Sequence, residues 1–396
     1  MAQGDFPVSS QEYGARLLAF GERSRLPGYG PAAGWGTNRQ PGEGVGDGMK
    51  PELVQFLRCR TCGKSDFELR SAERDEREIR FGTLTCASCT QSCEIRNGVV
   101  DMRAETASLG WETCQAETVA DATDQWLLDT EVSYRSANIS HARHFSYGML
   151  LNFDKAVDEM HLSEAGNRTQ LLDLAAGTTW LTDLLAQRGA SCVALDMAAA
   201  KYVGLESADV FMKKHLTYYE RVLGDMNKLP FRDNSFDIVL SHSAIHHSPN
   251  IRDALSQVRA VLRPGGSLFL VNEPTLSLSG LFDAPITGEE QVRGENPTSL
   301  FGYLLALRRA GFSSIRMYFP PGLSHRLDTL AETNRLGDPR GKGQKVKYFF
   351  IGRILPLWNR SPVFRYIIRR YLFWPYAFVV GQFVIIKASK SARQAA

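Results

Sequence analysis

Four cysteines stand as two Cys-x-x-Cys pairs, Cys59 with Cys62 and Cys86 with Cys89, separated by 23 residues. Each pair can fold into a tight turn whose two thiolates converge, and two such turns complete a tetrahedral sulfur shell suited to Zn2+. Gly63 follows the first pair, where a turn would otherwise strain the backbone. Four thiolates leave no open coordination position, so such a metal is structural and not catalytic. The alternative is a set of buried, reduced cysteines. The total of seven, with Cys93, Cys114 and Cys192, is odd, and no basic n-region or apolar h-region opens the chain. That pattern favours metal ligation in a reducing compartment over a disulfide framework.

A second cluster lies further on. Leu171 and Leu172 lead into Asp173, a small-residue loop follows over Ala175–Thr179, and a helix is expected from Trp180. A strand, a tight loop and a helix N-terminus form a cradle for the polar part of a nucleotide-like cofactor. Nineteen residues after Gly177, Asp196 ends the next apolar run, where a carboxylate can accept from both hydroxyls of a ribose. By itself this suits a dinucleotide equally well. Downstream, His242, His246 and His247 are candidate general bases, needed only if a proton must leave an acceptor. His246 and His247 come first by position and His242 next, with a structural role for the pair as the alternative. His141, His144 and Tyr147 are weaker candidates.

The elements that must position these residues follow from the hydrophobic pattern. Strands are expected at Leu171–Ala175, Cys192–Leu195, Arg221–Gly224, Phe236–Leu240 and Ser267–Asn272, with helices at Trp180–Arg188, Gly204–Tyr219 and Ile251–Leu262. This alternation predicts an α/β fold with a parallel sheet and helices on both faces. Two more strands are expected at Phe312–Tyr318 and Phe378–Ala388. Ahead of them, residues 104–165 read as a helical, substrate-side segment. Residues 9–24 could form a short amphipathic helix with Tyr13, Leu17 and Leu18 on its apolar side. Pro27–Lys50 holds eight Gly and three Pro in 24 positions, a composition that cannot bury a core, so residues 1–50 read as flexible.

The wording of these segments resembles known families. The stretch 56–102, with Glu94-Ile95-Arg96-Asn97-Gly98-Val99 near its end, resembles the zinc-ribbon domain of tRNA-methyltransferase activator proteins, which is also fused to bacterial methyltransferases. Gly224-Asp225, Leu229-Pro230-Phe231, Phe236-Asp237, His246-His247 and Leu262-Arg263-Pro264-Gly265-Gly266 together resemble class I S-adenosylmethionine-dependent methyltransferases. The resemblance implies a Rossmann-like sheet over residues 166–320 and 376–390, a zinc ribbon over 51–103, and S-adenosyl-L-methionine and structural Zn2+ as cofactors. It further implies that Asp173, Ala175, Gly177 and Thr179 line the methionine end, that Asp196 and Met197 meet the ribose, and that Asp225 and Met226 meet the adenine. Ser241 and His242 would face the methyl group. Leu229-Pro230-Phe231 reads as packing, Pro264-Gly265-Gly266 as a turn, and Asp237 as support for the fold. Where relatives have Gly at the loop's end this chain has Thr179, a β-branched residue that resists positive φ.

Charge separates the ends of the chain. Pro339–Ala396 holds twelve Lys and Arg and no Asp or Glu, leaving the rest net acidic although the whole carries +3. Residues 321–375 read as a basic, aromatic, helical insertion before the last strand. Three readings of it stay open: a lid, a surface that meets a membrane peripherally through 339–376, or a nucleic-acid contact. No uncharged run reaches the ~20 apolar residues that span a bilayer. The function these features imply is methyl transfer to a small-molecule or lipid-linked acceptor, by a cytoplasmic protein. RNA methylation, or a non-catalytic scaffold acting through the ribbon, are the alternatives. An acidic body suits a phosphate-rich partner poorly.

Overall fold

Leu171, Leu172 and Leu174 are fully buried in one five-residue strand, as expected where a parallel strand is covered on both faces. The computed structural model describes residues 49–74, 79–103, 122–135, 141–162, 169–276, 296, 298–333, 342–380 and 383–392. The expected helix at 9–24, nearly all of the Gly/Pro-rich segment, Cys114 and most of 104–123 lie outside the described residues.

The strands are β1 (Phe67–Arg74), β2 (Ile79–Cys86), β3 (Ser92–Arg96), β4 (Val99–Asp101), β5 (Gln170–Leu174), β6 (Ser191–Asp196), β7 (Glu220–Leu223), β8 (Phe236–His242), β9 (Leu262–Leu276), β10 (Thr298–Ser299), β11 (Ser314–Tyr318) and β12 (Phe383–Ser389). The helices are α1 (Asp124–Arg135), α2 (His141–Met160), α3 (Trp180–Gln187), α4 (Ala208–His215), α5 (Ile251–Val261), α6 (Leu300–Arg309), α7 (Pro321–Thr333), α8 (Lys342–Arg360), α9 (Pro362–Ile367) and α10 (Phe373–Val380). A π-helical turn, Ile368–Leu372, joins α9 to α10.

The sheet runs β1-β2-β3-β4-β7-β6-β5-β8-β9-β12-β11. From β4 to β9 neighbouring strands are parallel. β12 lies antiparallel between β9 and β11. The stretch β7-β6-β5-β8-β9-β12-β11, with helices between its strands, is a Rossmann-like methyltransferase sheet. The expected α/β fold is therefore present.

Two boundaries differ from expectation. Phe378–Val380 continue α10, and the last strand opens only at Phe383. Gly204–Tyr219 contains a single turn at Leu205–Ser207 and then the eight-residue α4, which ends at Leu216 in a left-handed conformation (φ 54°). Elsewhere local signals hold. Asn250 caps α5 by accepting from the Asp253 amide, and Ala254, Leu255, Val258 and Val261 place its apolar face in the core.

The cysteine-bearing unit is continuous with the main sheet. β4 pairs with β7 in register Val99–Arg221, Val100–Val222 and Asp101–Leu223, so two exposed edges satisfy each other. A second seam runs alongside: Arg58 N donates to Pro230 O at 3.0 Å and Arg232 N to Phe56 O at 2.8 Å. Phe56 stacks on Phe236 at 5.8 Å, and Phe231 meets Phe236 edge-on at 5.1 Å. Leu229-Pro230-Phe231 thus packs the ribbon onto the sheet, and Leu57, Leu84, Ile95 and Val100 share one core with Leu172, Val222 and Phe231.

A shared core predicts shared unfolding. Phe231→Ala should cost about 3–5 kcal/mol, and amide exchange in β3 and β4 should accelerate together with β7. Exchange that accelerates in the ribbon alone would show two independently folding units.

Candidate functional site

At the carboxyl ends of the parallel strands the chain must leave each strand abruptly, and its polar groups collect there. The β5–α3 turn holds Ala175 at φ 58°, Gly177 at 52° and Thr179 at 66°, all left-handed. A Cβ built on Gly177 would meet nothing within 4 Å, so open space lies against the backbone. Thr179 does adopt the conformation that its β-branch resists. Its side chain is buried and turned inward, with Oγ1 2.9 Å from the Tyr219 hydroxyl, and so stays out of the loop's open side.

The acids expected to bind cofactor sit around this loop. Asp196, at the end of β6, accepts from Gly177 N and from Ala198 N, each at 2.8 Å. Met197 is half-buried and its carbonyl accepts from Arg103 Nη1 at 2.9 Å, a tie from the ribbon side. Asp225 follows β7 and accepts from Asn227 N and Asn227 Nδ2, both at 2.8 Å. Asn227 Oδ1 in turn accepts from Ser248 Oγ at 2.6 Å. Met226 packs partly against the core beside it. Asp173 is buried beneath the loop, with Thr182 Oγ1 donating to Oδ2 at 2.6 Å. Burial pushes its pKa up to about 7, against the Thr182 hydrogen bond.

Ser241 and His242 end β8, His246 lies in the turn after it, and residues of β9 hold all three. Ser241 is fully buried and its hydroxyl donates to Glu273 at 3.2 Å, so its side chain does not face an open acceptor site. His242 is held at 2.8 Å from Asn272 Nδ2 through Nε2, and burial lowers its pKa to about 4. A neutral imidazole whose acceptor nitrogen is already occupied is a poor general base. His246 is buried with Nδ1 2.8 Å from Glu273 Oε2, and its ring lies 4.3 Å from that of His247, which is half-buried. His141 and His144 lie on the start of α2, with side chains outside the described residues, and Tyr147 meets His325 edge-on at 5.0 Å.

Two residues that sequence reasoning passed over organise this corner. Glu273, fully buried, accepts from Ala244 N at 2.9 Å and Ile245 N at 3.1 Å besides Ser241 and His246, fixing the turn that carries the histidines. Asn272 is the bulged residue of β9, at φ 58°, skipped where β12 shifts register. It joins His242, Asn152 Nδ2 (2.7 Å) and Met149 O (2.9 Å), and Asn152 Oδ1 accepts from Gly322 N at 2.8 Å. The only sequence signal was two polar residues ending the apolar run Leu268–Val271.

The cysteines converge. Cys59, Cys62, Cys86 and Cys89 have sulfurs within 4.8 Å of one another, with Cys59–Cys89 at 3.5 Å and Cys62–Cys86 at 3.6 Å. A tetrahedron with metal–sulfur bonds of about 2.3 Å has edges of about 3.8 Å. The two turns repeat one pattern: Gly63 N donates to Cys59 O and Thr90 N to Cys86 O, while Cys59 N donates to Lys64 O and Cys86 N to Gln91 O. Gly63 and Thr90, at φ 73° and 58°, sit at matching places. The group can hold a tetrahedral metal; Cys93 is buried in the core apart from it.

Residues 172–270 match the methyltransferase domain family. That segment of the chain is a methyltransferase domain. Over 117 residues the chain is 38% identical to demethylmenaquinone methyltransferase of Mycobacterium tuberculosis, and over 99 residues 37% identical to that of Corynebacterium glutamicum. These alignments cover 30% and 25% of this chain, and 46% and 39% of the relatives, so less than half of either relative is spanned. Among solved structures, phosphoethanolamine N-methyltransferase 2 of Haemonchus contortus is 16% identical, with TM-score 0.41 over 78% of this chain and 63% of that one. The matched segment of the methyltransferase domain contains Asp173, the loop, Asp196, Asp225 and the three histidines, but neither the ribbon nor the C-terminal helices.

The raised pKa of Asp173 has a sign that can be checked. The native state binds this proton more tightly than the unfolded chain, so the group's stabilisation is full below about pH 4 and lost as pH rises through 7. Asp173→Asn should therefore match the parent in acid and exceed its stability above about pH 8, by at most about 4 kcal/mol. Equal denaturation midpoints at both pH values would show that the carboxylate ionises in the fold without cost.

Proposed function

We propose that this protein transfers a methyl group from S-adenosyl-L-methionine to a small-molecule or lipid-linked acceptor, with a structural Zn2+ held by Cys59, Cys62, Cys86 and Cys89. The observation that carries the reading is the ring of carboxylates about the open Gly177 loop inside a matched methyltransferase segment. When bound, S-adenosyl-L-methionine supplies an electrophilic methyl on a sulfonium, which becomes a thioether as the acceptor takes the methyl. Asp196 would accept from ribose hydroxyls, Asp225 and Met226 would flank the base, and Asp173 with the Ala175–Thr179 loop would meet the methionine end. Alignment of nucleophile and methyl carbon supplies much of the rate.

If the acceptor carries a proton, His246 is the base that the geometry favours. Glu273 holds its Nδ1, which fixes the ring's orientation, and His247 lies against it. The relatives named for demethylmenaquinone support a small-molecule acceptor. RNA as acceptor gains no support from the strand-end residues, where Ser241 and His242 are engaged internally.

Calorimetry tests the cofactor half: micromolar binding of S-adenosyl-L-methionine by the parent and loss of at least a hundredfold in Asp196→Ala. Glu273→Gln keeps an oxygen for the Ala244 and Ile245 amides but presents a donor to His246. It should leave cofactor binding intact and lower kcat about a hundredfold, if His246 is the base. Unchanged turnover would remove His246 from that role. For the metal, purified protein should hold one zinc per chain. Cys62→Ser should lose it and, through the common core, lower the melting temperature of the whole chain. A metal-free protein of unaltered stability would end the zinc reading.

A further inference from the structure

Helices α8 to α10 are apolar on two faces. The inner stripe, Phe364, Ile368, Phe373 and Ala377, steps by four, five and four residues, the five falling in the π-helical turn. It is buried against the domain, with Phe373 edge-on to Phe319 at 4.9 Å. The outer stripe is apolar too: Val363, Tyr366, Ile367, Tyr371, Leu372 and Phe378 are exposed, Val363 at 67% and Tyr366 and Tyr371 at 61%. On α8, Phe349 and Leu357 are 58% and 52% exposed, eight residues apart and therefore on one face. An exposed apolar stripe on helices whose inner side is already packed marks a contact surface.

Charge selects the occupant. The exposed arginines Arg353, Arg360 and Arg370 interleave with this stripe, Arg353 lying 5.0 Å over the Phe349 ring and Arg370 5.7 Å over Tyr371. No acid occurs from Pro339 onward. A second copy docking isologously on the same face would set these cations against each other. An anionic bilayer surface accepts both components, aromatic and aliphatic side chains at the acyl boundary and arginines at the headgroups. No helix among the described residues is long and apolar enough to cross a membrane, so the contact would lie in the interface plane.

Topology says where this leaves the site. β11 is antiparallel to β12, which is antiparallel to β9, so β11 runs with the parallel strands. The chain leaves β11 at Tyr318 and enters β12 at Phe383, both at the carboxyl edge that carries Asp196, Asp225 and His242. α7, the insertion's first helix, crosses α2 where Gly148 and Gly322 meet backbone to backbone, and is tied to β9 through Asn152 and Asn272.

We propose that the outer face of α8–α10 is a docking surface for anionic lipid bilayers, which holds the carboxyl edge of the sheet beside the membrane interface. Docking stands on this face alone; its consequence, an acceptor taken from the lipid phase, rests on the methyl-transfer reading.

The full chain is sedimented with vesicles of phosphatidylcholine, alone or mixed with phosphatidylglycerol. Co-sedimentation with the mixed vesicles, weakened by salt, is expected. The double variant Ile367→Asn with Tyr371→Asn should bind at least tenfold more weakly. The triple variant Arg353→Gln, Arg360→Gln and Arg370→Gln should bind about a hundredfold more weakly. Circular dichroism and calorimetric cofactor binding, unchanged in these variants, show that the fold persists. Absence of vesicle binding, binding that the variants retain, self-association without lipid that the apolar variant abolishes, or salt-sensitive binding of bulk RNA in its place would each overturn the proposal. Vesicle binding by a chain that fails to bind S-adenosyl-L-methionine would sink the methyl-transfer reading and leave docking standing.

Discussion

The amide of Gly177 donates to the carboxylate of Asp196 over 2.8 Å, and that hydrogen bond joins the ends of the two strands on which the candidate site is built. It forms only because the chain turns out of β5 through left-handed residues, which aim successive amides at a neighbouring carboxylate. Non-glycine residues in that conformation cost of order 1–3 kcal/mol each and persist where the surroundings overdetermine them. Here Ala176 N donates to Leu195 O and Thr179 reaches Tyr219, so the turn is braced from both β6 and β7. The backbone beside Gly177 stays open, and Thr179, whose side chain is tied to Tyr219, does not fill it.

The same logic governs the buried carboxylates. An ionised acid taken out of water is very costly unless hydrogen bonds replace hydration. Glu273 meets this with two backbone amides, a hydroxyl and an imidazole, so its oxygens are fully engaged in organising the Ala244–His247 turn. Asp183 does it with Gln187 Nε2, His215 Nδ1 and the Thr217 hydroxyl, which lash α3 to the chain entering β7. Asp173 has a single hydroxyl donor, and accordingly its proton is held up to about pH 7. A carboxylate left this short of donors is a place where a cationic ligand group would be welcome, whereas Glu273 is saturated.

Local signals made much of this legible. Strand–loop–helix spacing located Asp173, Gly177 and Asp196, because adjacent residues build that turn. Cysteine spacing located the sulfur cluster for the same reason. Contacts set by tertiary register were not legible. Nothing in Val99–Asp101 announces that it pairs with Arg221–Leu223, since edge pairing depends on two backbones meeting and not on side-chain type. Ser241 was placed toward the methyl group by the resemblance alone, which carries no information on its hydrogen bond to Glu273. Asn272 and Glu273 escaped notice inside an apolar strand, where a bulge inverts the expected alternation. Phe378–Val380 read as strand because aromatic and β-branched residues favour one, yet the helix begun at Phe373 carries through them.

The two accessory elements occupy opposite ends of one sheet, and this separates what they can do. β4 closes one edge and β12 with β11 the other, six strand spacings from β4 to β12, or roughly 29 Å at about 4.8 Å per strand. The sulfur-bearing unit keeps β7 from becoming a free edge, is held to the sheet by the Arg58–Pro230 and Arg232–Phe56 seam, and reaches the end of β6 through the Arg103–Met197 contact. The helical insertion instead grows from the carboxyl edge itself and reaches His242 through Gly322, Asn152 and Asn272. A change of position in α7 would move a hydrogen-bonded partner of the histidine corner, while a change in the ribbon would be felt first at β7 and at Met197. The C-terminal helices are thus hydrogen-bonded into the histidine corner, and the ribbon side into the end of β6.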